Sequence, residues 1–175
     1  ATVSGNTVTI NNAGTTEIVA SQAGNSFYYA APTVTQTLTV NKAEQTITFN
    51  QIQSKTFGDA AYNLTATGGA SGNPVTYSAS PAGVVTIAGN LVTIVGAGVT
   101  TITASQAGNA NYNAAADVPQ TLTVNQASQT ITFGGLAPRP DNDPNFQLTA
   151  TGGGSGNPIV YTSSNTAVAI IVNSL

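Results

Sequence analysis

The sequence predicts an all-β chain built as a tandem array of two-sheet modules. Short runs of β-branched residues alternate with Thr, Ser and Gln along its length, the pattern of strands with one buried face. Turn signals rich in Gly, Asn and Pro separate these runs about every 8 to 12 residues, and no segment shows helical spacing. The chain also repeats itself. Residues 102–133, ITASQAGNANYNAAADVPQTLTVNQASQTITF, have a near copy in residues 18–49, IVASQAGNSFYYAAPTVTQTLTVNKAEQTITF, at an offset of 84 residues. The alignment holds without a gap from Ala1 on Val85 to Leu91 on Leu175, with about half of the positions identical. A fixed period of this kind decides architecture before any single residue does.

Each element follows from its residues. ATVSGNTVTI reads as strand, Gly5-Asn6 turn, strand, because Gly takes positive φ without steric cost and Asn tolerates it. TTEIVASQ is a strand ending at a turn over Ala23, Gly24 and Asn25. A loop with Phe27, Tyr28 and Tyr29 then leads into the strand VTQTLTV. Residues 41–44 form a link without Gly or Pro, too short to swing like a flexible linker. One complete unit follows. Its strands are QTITF (A), YNLTATG (B), VTYSAS (C), VVTIAG (D), LVTIVG (E), TTITASQ (F) and PQTLTV (G). Residues 51–61 between A and B form a loop or short edge strand. Seven short alternating strands are the sequence form of an immunoglobulin-like β-sandwich. After the link at 125–128, strand A restarts, and the B–C region and strand C follow.

The expected organisation is therefore the C-terminal half of a module in residues 1–43, a complete module in 44–127 and the N-terminal half of another in 128–175. Both ends fall in the same D–E hairpin. Two expectations follow: a segment cut from a longer array, or completion of one copy's C-terminal half by the next copy's N-terminal half. Either gives a continuous filament with a repeat on the order of 40 Å per module, from strands of roughly six to eight residues at about 3.3 Å each plus end loops. Ala1 falls inside a repeat, so any secretion signal is expected elsewhere in a longer protein. Period-2 placement opposite Thr, Ser or Gln predicts a core of Ile47, Phe49, Leu64, Val75, Tyr77, Ile87, Ile94, Ile102, Leu122 and Val124.

Composition narrows the function. The cations are Lys42, Lys55 and Arg139, set against six carboxylates for a net charge of −3. Three scattered cations cannot neutralise a nucleic-acid backbone, so no nucleic-acid partner is expected. No apolar run reaches the roughly 20 residues of a spanning helix, so no membrane insertion is expected. Cysteine is absent, which excludes disulfides and thiolate metal sites. With no His and no Cys, the Ser and Thr hydroxyls lack the usual base for nucleophilic catalysis, and an enzyme is not expected.

The motifs QTITF, LTATGG followed by SGNP, SQAGN followed by Tyr, and QTLTVN resemble the bacterial Ig-like repeats of large cell-surface adhesins, specifically the Gly-rich MBG type. The most characteristic block is Ser105-Gln106-Ala107-Gly108-Asn109 with Tyr112, matched by Ser21-Gln22-Ala23-Gly24-Asn25 with Tyr28. The resemblance spans the chain except residues 135–146. It implies an Ig-like fold, export to the cell surface and a stalk or adhesive role. It carries no catalytic residues and no cofactor.

Four constellations stand out as candidate sites. Asp141, Asn142 and Asp143 lie in a row between two prolines and are weak candidates for calcium, which takes six to eight oxygens. The bland alternative, a solvated turn in which Asp or Asn caps its own backbone, is preferred, because only Asp143 has an acidic counterpart, Asp59. Lys55 and Asp59, like Arg139 and Asp143, have the spacing of an exposed ion pair of little energetic value. Tyr28 and Tyr112 are expected as aromatic plugs across a sandwich end, bonding backbone through the hydroxyl, rather than as sugar-stacking platforms. The Thr-x-Thr pairs (37/39, 46/48, 65/67, 121/123, 130/132) are expected as outward strand residues rather than an ice-binding face.

The function expected from this sequence is a structural stalk or extracellular filament segment of a secreted bacterial surface adhesin. Its partners would be copies of itself or neighbouring repeats, end to end, with no cofactor. The alternative is an adhesive module binding surface glycans or calcium through residues 51–61 and 135–146.

Overall fold

The computed structural model describes residues 1–172. The chain is all-β and divides into two compact units, Ala1–Gln126 and Ala127–Leu175. Part of the last expected hairpin, residues 173–175, lies outside the described residues.

The first unit begins with two hairpins. Strands β1 (Thr2–Ser4) and β2 (Thr7–Thr9) pair across Gly5-Asn6, and β3 (Gly14–Ala20) pairs antiparallel with β4 (Val34–Val40). Gly5 has φ 61°, as does Gly89 at the equivalent turn. A two-residue turn with positive φ at its first position matches the right-handed twist of the flanking strands.

Residues 44–126 carry β5 (Thr48–Phe49), β6 (Lys55–Thr56), β7 (Tyr62–Asn63), β8 (Ala66–Thr67), β9 (Val75–Ser80), β10 (Val85–Ala88), β11 (Leu91–Ile94), β12 (Gly98–Gln106) and β13 (Val118–Asn125). A four-stranded sheet runs in the order β6-β13-β12-β9, a three-stranded sheet in the order β10-β11-β7, and β5 pairs with β8. The central strand β12 alternates buried and half-exposed residues, with Thr100, Ile102, Ala104 and Gln106 inward. Apolar side chains from the separate sheets meet in one core.

Strands C to G fall where the alternation puts them, as β9 to β13. Two expectations change. Strand B is two pieces: β7 pairs with β11, while β8 pairs with β5. The Leu64 amide donates to Asn90 O at 2.8 Å, which extends the β7–β11 pairing by one residue before β8 pairs with β5. Strand A is regular only at β5, and residues 51–61 supply a real edge strand, β6, parallel to β13. Of the expected core, Ile47, Phe49, Leu64, Ile102, Leu122 and Val124 are buried, and Val75, Tyr77, Ile87 and Ile94 pack against them half-buried. Val84, Val85, Val92, Ala104 and Ala115 complete the core. Phe49 and Tyr77 meet with ring centroids 5.6 Å apart.

Among the described residues the second unit holds one strand pairing, β14 (Thr132–Phe133) with β15 (Ala150–Thr151). Phe133 and Tyr161 meet edge to face at 5.6 Å. Residues 159–164, IVYTSS, form no strand.

Candidate functional site

The densest polar construction in the first unit surrounds the loop after β12. Asn109 shapes it: its Oδ1 accepts the amides of Asn111 (2.8 Å) and Tyr112 (2.9 Å), and its own amide donates to Tyr112 O at 3.0 Å. This Asn-capped turn is a local alternative to strand pairing. Gly108 is required, because a Cβ there would run into the Tyr112 carbonyl. The loop after β3 repeats the arrangement. Asn25 Oδ1 accepts Phe27 N (2.8 Å) and Tyr28 N (3.0 Å), and Gly24 sits against Tyr28 O.

Two buried glutamines tie this loop to the 68–73 turn. Gln45 Nε2 donates to Asn113 O (2.8 Å) and Ala107 O (3.2 Å), while its Oε1 accepts Ser71 N (2.9 Å). Gln106 Oε1 accepts Gly69 N (2.7 Å), and its Nε2 donates to Asn73 O (2.7 Å). Asn73 Nδ2 adds a bond to Gly108 O (2.8 Å), and Asn109 Nδ2 one to Ser71 O (2.9 Å). Burying a primary amide is tolerated when its donors and acceptor are matched, as here.

The outer side of the same loop grips the link between the two halves of the unit. Ala43 N donates to Asn111 O (2.8 Å), and Asn113 N donates to Ala43 O (2.9 Å), a parallel bridge centred on Ala43 and Tyr112. Asn111 reaches the preceding hairpin as well: its Oδ1 accepts Ala13 N (2.9 Å) and its Nδ2 donates to Asn12 Oδ1 (3.1 Å). Lys42 Nζ donates to Asn109 O (2.8 Å), and Asn113 Nδ2 to Glu44 Oε1 (2.7 Å). Six bonds thus fasten residues 12–44 to one loop.

Other candidate positions behave differently. Asp143 pairs with Arg139 at 3.2 Å, and its amide closes a turn onto Pro140 O. Asp141 and Asn142 are exposed in that turn, and no group of three or more His, Cys, Asp or Glu that could hold a metal ion occurs among the described residues. The Arg–Asp pair forms, but Lys55 and Asp59 do not pair. Asp59 Oδ2 instead accepts Thr56 N (2.9 Å), while Lys55 Nζ lies 4.8 Å from the Tyr62 ring centroid. Arg139 likewise covers Phe146, at 4.0 Å. The plug expectation needs correction. Tyr28 is exposed, and half-buried Tyr112 bonds Asn109 through its backbone, its peptide lying beside the link. The Thr-x-Thr residues point outward, as expected.

A groove of about 540 Å³ runs from Leu64 past Asn73 to Tyr77, and no carboxylate, amine or imidazole lines it. Burial raises the Tyr62 and Tyr77 phenols above their ordinary pKa, so neither is poised as a base near neutrality. No helix among the described residues is long and apolar enough to cross a membrane.

Sequence reasoning singled out Tyr112 and missed Asn111, Gln45 and Gln106. A signal for the glutamines was present: Gln45 recurs as Gln129 and Gln106 as Gln22, polar residues repeated within strand patterns. Comparisons with protein-family models, curated proteins and solved structures returned no match.

Proposed function

We propose that this chain is a structural stalk or extracellular filament segment of a secreted bacterial surface adhesin, built from tandem Ig-like β-sandwich repeats of 84 residues. The observation that carries the reading is the fastened link. A linker free to swing would expose its backbone to water. Here Ala43 is bridged on both sides to the 111–113 loop, and Asn111 bonds the preceding hairpin. Such a junction transmits orientation from one module to the next, which a spacer needs and a freely jointed chain lacks. The near-absence of charge avoids self-repulsion between neighbouring modules. The absence of His and Cys from the sequence, and a 540 Å³ groove lined by no carboxylate, amine or imidazole, support a mechanical role over a catalytic one.

A glycan array probed with and without calcium tests this against the adhesive alternative. A stalk segment gives no saturable signal in either condition. Saturable glycan binding, or calcium binding by calorimetry that depends on Asp141 and Asp143, would replace the stalk reading with an adhesive one. Antibody raised against the chain should label the outside of intact producing cells, and labelling only after lysis contradicts the surface assignment.

A further inference from the structure

Tension along the chain enters the complete module at Glu44 and leaves it at Gln126. The two segments that receive it lie side by side. Ala43 stands beside Tyr112, Lys55 beside Val124 and Thr56 beside Asn125, each pair parallel and each 69 residues apart in sequence. The chain entering the module and the chain leaving it thus run in one direction, in one register at both ends of their overlap. Among the described residues β6 and β13 are the one parallel strand pair, all other strand pairs being antiparallel. Parallel neighbours need a long crossover, and here the crossover is the body of the module, residues 57–117.

Hydrogen bonds join the two segments along the overlap. At one end Ala43 N donates to Asn111 O (2.8 Å) and Asn113 N to Ala43 O (2.9 Å). In the middle β5 pairs with β8, and Gln120 Nε2 keeps contact with it by donating to Phe49 O at 2.9 Å. At the far end Phe57 N donates to Asn125 O at 2.9 Å, one residue beyond the β6–β13 ladder. β6 is only two residues long, and Asp59 holds it in place. The Asp59 carboxylate accepts Thr56 N (2.9 Å), and its amide donates to Thr56 O (3.0 Å).

Geometry decides how such bonds carry a load. Pulling the first segment by its N-terminal end and the second by its C-terminal end slides one along the other. The bonds between them are then strained together. Pulled apart from a shared end, the same bonds open one after another. Forced unfolding follows the unfolding barrier rather than equilibrium stability, so the direction of loading matters as much as the number of bonds. We infer that residues 43–57 and 111–125 form a shear latch that keeps the complete module folded while the chain is under tension. The latch adds load-bearing to the stalk reading and rests on that reading for the source of the tension. Gln120 is its central side chain, because without it the overlap is joined only near its ends. The 51–61 segment, through β6 and Asp59, has a mechanical task in it.

Single-molecule stretching of the whole chain tests this. The sequence contains no cysteine, so paired Cys substitutions give unique handles. Asn41→Cys with Gln126→Cys pulls along the latch. Ala60→Cys with Gln126→Cys pulls the same segments apart from their shared end. All three positions are exposed. The first rupture along 41–126 should need about twofold more force, or greater, than the first rupture along 60–126, since only the former requires a concerted shift. Gln120→Ala should lower the 41–126 force and leave the 60–126 force unchanged. Thr100→Val is the control: it removes a bond from Thr100 Oγ1 to Pro81 O (2.9 Å) that lies outside the latch. It should lower the urea midpoint while the 41–126 force stays near that of the parent. Amide protection of β12 verifies that each variant is folded. Equal forces in the two directions overturn the inference. So does a Gln120→Ala chain as strong as the parent along 41–126, or a Thr100→Val chain weakened as much as Gln120→Ala. The stalk reading fails separately, through a glycan signal or independently reorienting halves, and neither alters the ratio of the two forces.

Discussion

Gln106 is a polar residue at the inward side of a central strand, and its burial is stable because its amide is matched on both atoms. Truncating it to Ala leaves Gly69 N and Asn73 O without their partner. The expected loss is about 1–3 kcal/mol for each buried group left unpaired, read as a lower urea midpoint. Gln51→Ala in the exposed loop should stay within about 0.5 kcal/mol of the parent. Phe49→Ala should cost about 3–5 kcal/mol, because it removes a buried ring that Tyr77 and the core enclose. A loss below about 1 kcal/mol would contradict the core assignment. Tyr62 is the opposite case. Its hydroxyl is buried with no partner, and burial raises its pKa. Tyr62→Phe should therefore leave stability unchanged or higher. Ionising the phenol is harder in the folded state, so its effect on stability is fully present below the ordinary pKa of 10.0 and is lost as pH rises through the higher folded value. The parent should lose stability above pH 10 more steeply than Tyr62→Phe, as measured by denaturation at stepped alkaline pH.

At the scale of elements, alternation in the sequence located strands β9 to β13 and the two Gly-Asn hairpins, because one buried face and one turn residue suffice to specify them. Strand B was legible as one strand and is two, since each half pairs with a different neighbour, β7 with β11 and β8 with β5. That choice depends on residues far away in sequence. The contrast between VTYSAS and IVYTSS makes the same point: similar alternation yields a strand only where a partner strand is present. Amide exchange on dilute, monomeric chain should show the slowest amides in β12, which is paired on both edges, and fast exchange throughout 159–164. The Asn-capped loops were legible as turns from SQAGN, but their grip on the link was not. It is made by peptide groups and by polar side chains, Asn12, Lys42, Glu44, Asn111 and Asn113, that read equally well as solvated loop positions.

For the molecule as a whole, the central claim is that consecutive modules are joined stiffly. The junction of residues 12–44 with the 109–113 loop is built from backbone bridges and five side chains, Asn12, Lys42, Glu44, Asn111 and Asn113. Asn111→Ala removes both bonds to the preceding hairpin and should loosen the junction while leaving the core of the complete module unchanged. The most direct test is residual dipolar couplings measured on the amides of β3 and β4 and, separately, of β12 and β13. The fastened junction predicts that one alignment tensor fits both sets in the parent chain, and that the tensor magnitudes diverge in Asn111→Ala. Two different tensors in the parent chain would show the halves reorienting independently, and would contradict the stalk.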